Sequence, residues 1–90
     1  MGSAVLLTVD QISVYKKYRG DEDGFSRVAT SAEKSLMRGV NWARVSDLVQ
    51  SLSLVQRGIA AGPFAQEIKR EVREVCADQL AIDALSALAC

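Results

Sequence analysis

The sequence predicts an all-α fold, a compact bundle of about five helices around a central helix at 40–57, and three observations carry that expectation. The large apolar residues Trp42, Val45, Leu48, Val49, Leu52, Val55 and Ile59 recur mostly at three- and four-residue spacing, which is the period of a helix and not of a strand. Two helix-start signatures stand elsewhere, Thr8 with Gln11 and Thr30 with Glu33. In each, a hydroxyl is followed three residues later by a side chain that can return the hydrogen bond. Finally, Gly20, Gly39, Gly58 and the pair Gly62–Pro63 punctuate the chain where those helices have to stop or restart.

Taken in order, helix 1 is expected from about Val9 to Arg19. Thr8 and Gln11 start it, Leu7 packs on Ile12 as a staple, and Gly20 ends it in a left-handed conformation. Ile12, Tyr15 and Tyr18 share its core face, with Tyr18 read as a packed aromatic. Asp21, Glu22 and Asp23 then make an acidic, glycine-bounded turn. With Gly24 at the sixth position of a calcium loop, Arg19 and Thr30 fall where the first and last ligands should be, so the turn reads as solvated. Helix 2 is short, from Ala32 to Met37, with Phe25, Val28, Leu36 and Met37 as its apolar anchors.

The central helix follows. At 100° per residue its apolar side chains span an arc of about 140°, more than one neighbour covers, so packing on two flanks is expected. Ser46, Asp47, Gln50, Ser51, Ser53 and Arg57 are left to face outward. Ser46, Asp47 and Leu48 hold the residue types of the phosphopantetheine site of an acyl carrier protein, but in the wrong order and inside a helix. The chain also lacks the acidity of that family.

Helix 4 runs from Pro63 to about Ala77 and buries Phe64, Ala65, Ile68, Val72, Val75 and Cys76. Glu67, Glu71 and Glu74 alternate with Lys69, Arg70 and Arg73 on its outer face, the pattern of intrahelical ion pairs. Asp78 caps helix 5, Gln79 to about Ala89, which is apolar over most of its circumference. A terminal helix of that kind is hard to wrap completely in so small a domain, so Ile82, Leu85 and Leu88 are expected to form an interface with a partner or a second copy.

Bulk properties narrow the functions. Ninety residues make one domain, 1–90, able to bury about 60–65% of the surface of its unfolded chain without a metal or disulfide. Residues 1–7 are expected to lie outside the folded body, with Met1 to Ser3 a cloning remnant. Eleven basic residues balance eleven acidic ones, so no net field attracts nucleic acid or an anionic membrane, and self-association is tolerated. Histidine is absent, which removes the commonest general base and metal ligand.

Cys76 and Cys90 have neither disulfide-framework nor zinc-site spacing and are read as thiols, Cys76 as a core residue and Cys90 at a frayed end. Without a base for a cysteine nucleophile, an enzyme is not expected, nor is a cofactor. No run suits a membrane span or a signal peptide, so a cytoplasmic location is expected, and size and composition suggest a bacterial source.

The function these features imply is a small helical protein-interaction module that self-associates, most simply as a homodimer, through apolar helix surface. The alternative is a nucleic-acid-associated regulator. It requires Lys16, Lys17 and Arg19 to meet Lys69, Arg70 and Arg73 in space, and the interleaved glutamates weigh against it. An apolar ligand held between helices is a further option, one that Trp42 fluorescence would report.

Overall fold

The structure, a computed structural model, describes residues 6–90. Six helices follow one another: α1 Val9–Lys17, α2 Glu22–Val28, α3 Ser31–Leu36, α4 Trp42–Gln56, α5 Pro63–Val75 and α6 Gln79–Leu88. The all-α bundle is therefore present, with one helix more than the sequence led us to expect.

The extra helix is α2, and it corrects the reading of the acidic stretch as a solvated turn. Asp21 is a cap: its carboxylate accepts the Gly24 N–H at 3.1 Å. Glu22 and Asp23 then occupy the first turn, where exposed amides and the helix dipole favour negative charge. The carboxylates that looked like ligands are thus helix-start residues. Both capping boxes form as expected, with Gln11 N–H donating to Thr8 Oγ1 at 3.2 Å and Glu33 N–H donating to Thr30 Oγ1 at 3.1 Å. Helix α1 stops at Lys17, short of the expected Arg19, because Arg19 joins Gly20 in the left-handed region (φ 54° and 72°).

Helix α4 starts at Trp42, where Asn41 accepts the Arg44 N–H at 3.1 Å, and buries Trp42, Val45, Leu48 and Leu52. Helices α5 and α6 both pack on it, and α1 reaches it through Tyr15, whose ring lies 5.4 Å from that of Trp42. Enclosure on two flanks is thereby realised. Ser46, expected to face outward, is half-buried and hydrogen-bonded to the Tyr15 hydroxyl.

Helix α6 is the main correction. It lies against both α1 and α4, with Ala81 and Leu85 at 0% exposure and Ala89 at 3%. The cover is one-sided, since Leu80 is 69% exposed and Ile82 and Leu88 are half-buried. The N-terminal segment adds to the wrapping. Leu7 is buried in the same cluster as Ile12, as a staple residue would be and contrary to the expectation that 1–7 lie outside the body. It forms a parallel bridge with Cys76, its N–H donating to the Val75 carbonyl and its carbonyl accepting from Ala77. The reading of Met1 to Ser3, and of residues 1–5 generally, lies outside the described residues.

Four residues expected in the core are exposed to differing degrees, Val28 and Ile59 largely, Phe64 by about half and Leu36 by about a third. Val28, Leu36 and Phe64 stand at helix ends and Ile59 in the turn beyond α4, where neighbouring helices give less cover.

Candidate functional site

The three interface residues expected on α6 do not share an exposed surface. Leu85 has no exposed area, and Ile82 and Leu88 are half-buried on either side of it. Ile82 lines a groove of about 250 Å³ with Leu52, Val72, Lys69 and Arg73, whereas Leu88 lines a separate one of about 150 Å³ with Ile12, Ser13 and Lys16. At 100° per residue the three positions span about 120° centred on Leu85, so the face read as an interface is the helix's own core face.

Exposed apolar side chains stand singly at Val28 and Leu80, and two come together at the α4–α5 turn. Ile59 is 66% exposed and Phe64 47% exposed, with the exposed Ala61 and Pro63 between them. The turn is held in shape from both ends. Ile59 N–H and Ala60 N–H both donate to the Leu54 carbonyl, at 3.0 and 3.1 Å, and Gly58 and Gly62 take φ of 76° and 67°. A side chain on either glycine would meet nothing within 4 Å, so the turn stands clear of the body. The signal was present in the sequence as Gly58 to Phe64, but it reads there as ordinary turn chemistry because periodicity assigns Phe64 to the core.

The charged residues are organised mainly among themselves. Glu33 accepts from Lys17 Nζ at 2.7 Å, from the Tyr18 hydroxyl at 2.7 Å and from Thr30 N–H at 3.0 Å. These donors, Lys17 first, hold the Glu33 carboxyl down at about 2, and Glu33 in turn raises the pKa of both Lys17 and Tyr18. Tyr18 also stacks on Phe25 at 5.2 Å, so it is both the packed aromatic expected and a hydrogen-bond donor. Nothing local in the sequence signals this cluster, because Glu33 is already accounted for as the third residue of its capping box.

On α5, Arg70 pairs with Glu67 and Glu74, as the alternating charges imply, and Glu67 foremost raises its pKa. Lys17 and Arg70 are therefore committed to carboxylates. Of the other bases in the two clusters, Lys16 lies beside the α1–α6 groove and Lys69 with Arg73 beside the α5–α6 groove.

Cys76 is buried. Removal from water, with the Asp78 charge adding to it, pushes its thiol up to about 11. Cys90 is exposed, its Sγ lying 3.4 Å from Gln56 Oε1. No group of three or more Cys, Asp or Glu residues suited to a metal occurs among the described residues, and no helix among them is long and apolar enough to cross a membrane. The chain matches no family model, no curated protein and no solved structure.

Proposed function

We propose that this chain is a small helical protein-interaction module that associates with itself through the apolar α4–α5 turn. The observation that carries the reading is the exposure of Ile59 and Phe64 on a turn braced by the Leu54 carbonyl. A turn backbone already ordered before contact lowers the freedom lost on association, which favours the use of its large apolar side chains as anchors. Zero net charge sets no barrier to a second copy. Two anchors fall well short of the roughly 800 Å² per partner of a stable interface, so the association is weak and concentration-dependent.

Sedimentation velocity over a wide range of protein concentration tests the proposal. The expected result is a dimer fraction that grows with concentration and disappears in an Ile59→Ser, Phe64→Ser double variant that keeps its helical circular dichroism. A chain that stays monomeric at millimolar concentration would overturn it. The nucleic-acid alternative has less support, since its two basic clusters border different grooves and one member of each is paired with glutamate.

A further inference from the structure

Helices α2 and α3 are attached differently from the rest of the fold. Helix α3 buries none of its residues and α2 buries only Phe25, while Val28 at the end of α2 is 71% exposed. Helices α1, α4, α5 and α6 each bury at least two. The cover that α2 and α3 provide is incomplete: a cleft of about 430 Å³ opens between α2, α3 and the start of α4, lined by Glu22, Ser26, Lys34 and Met37 over Trp42.

Three kinds of contact hold the segment down. Phe25 lies 5.0 Å from the Trp42 ring and 5.2 Å from the Tyr18 ring, and Met37 is buried beside α3. The Gln11 side-chain amide donates to the Leu36 carbonyl at 3.0 Å. The remainder is the Glu33 cluster with Lys17 and Tyr18 of α1. At both ends the backbone is left-handed, at Arg19 and Gly20 on one side and Gly39 (φ 83°) on the other, so the segment is bounded by two sharp chain reversals.

We propose that residues 21–38 form a hinged flap over Trp42, latched to α1 through Glu33, which opens as a unit on Gly20 and Gly39 while the α1, α4, α5 and α6 body stays folded. The segment buries only two large apolar side chains, Phe25 and Met37, and otherwise depends on three polar contacts, of which Lys17 with Glu33 is exposed. Sparse apolar burial of this kind places a segment toward the low-stability end of a structure. Reversals at element ends are where a chain absorbs the dihedral change of such a motion. Opening bares the Trp42 face that Phe25 covers and joins it to the existing cleft, which creates an aromatic surface absent from the closed form. The flap is independent of the α4–α5 turn and of any self-association there.

Hydrogen exchange of the unmodified protein at neutral pH, resolved by segment, is the test, together with acrylamide quenching of Trp42, the only tryptophan. Amides of 22–37 are expected to exchange at least ~10-fold faster than those at the centres of α4 and α6. Glu33→Gln, which removes the charge of the latch, should widen that gap and raise Trp42 quenching while exchange in α4 and α6 is unchanged. Exchange of 22–37 at the same rate as the α4 and α6 core would mean that the segment leaves only on global unfolding, and would overturn the proposal. Equal Trp42 quenching in the two proteins would remove the latch and overturn it as stated.

Discussion

The Tyr15 hydroxyl and Ser46 Oγ meet at 2.7 Å, joining α1 to α4 through two groups that the sequence presents as unrelated. The same hydroxyl closes the end of α1, because a Cβ on Gly20 would lie 2.7 Å from it. Tyr15→Phe should cost about 1 kcal/mol, the usual net worth of a partly buried hydrogen bond. Gly20→Ala should cost more, adding a left-handed alanine, about 1 kcal/mol, to the clash. The two changes should be less than additive in a urea-denaturation cycle, since removing the hydroxyl relieves part of the contact. Strict additivity would show that the hydroxyl does not limit Gly20.

Glu33 makes stability depend on pH. Its carboxyl is held at about 2 against an ordinary 4.5 by Lys17, Thr30 and Tyr18. A carboxyl depressed on folding contributes stability that is complete above its unfolded value and is lost as pH falls through its folded one. Thermal melts of the native chain and Glu33→Gln should therefore differ fully at about pH 6, converge between about 4.5 and about 2, and coincide near the lower limit. A difference that is constant across this window would refute the assignment.

Two of the three leucines of α6 offer a contrast in burial. Leu85 is wholly enclosed and Leu80 is 69% exposed. Leu85→Ala should cost about 2–5 kcal/mol, while Leu80→Ala should stay within about 0.5 kcal/mol. Trp42→Ala should cost about 3–5 kcal/mol, since the ring is buried between Tyr15 and Phe25. Denaturant midpoints measure all three, and an Leu85→Ala as mild as Leu80→Ala would mean that α6 does not belong to the core.

The two thiols should separate in a reactivity assay. Cys90 is exposed, whereas Cys76 is buried and its thiol is raised to about 11. A disulfide reagent at neutral pH should modify one thiol quickly and the second at the rate of unfolding. Two fast thiols in the native protein would contradict the burial of Cys76.

Much of the secondary structure was legible because its causes are local. Thr8 with Gln11, Thr30 with Glu33 and Asp78 with Ala81 are contacts across three residues, and all three form. The core face of α4 was legible too, since Trp42, Val45, Leu48 and Leu52 stand out against polar neighbours. Helix α2 is not legible in full because its single buried residue, Phe25, leaves no period to see, and its capping residue Asp21 sits in an acidic stretch that reads as a solvated turn. The exposed turn was only half legible, because Phe64 keeps the register of the buried stripe of α5 without its burial.

What the sequence by itself determined is where the helices begin, most of where they end, and which side of α4 is dry, all of which depend on residues within one or two turns of each other. Tertiary structure alone decided how far each side of α6 is covered, because the narrow polar face of Gln79, Asp83 and Ser86 marks an outward direction but the rest of the circumference is apolar. The answer came from α1 and α4, which close on Ala81 and Leu85 and leave Leu80 to water. The pairing of Leu7 with Cys76, and the meeting of Lys17, Tyr18 and Glu33, have the same origin. Each joins groups far apart in the chain, and such groups become neighbours only when burial of the shared core has brought their helices together.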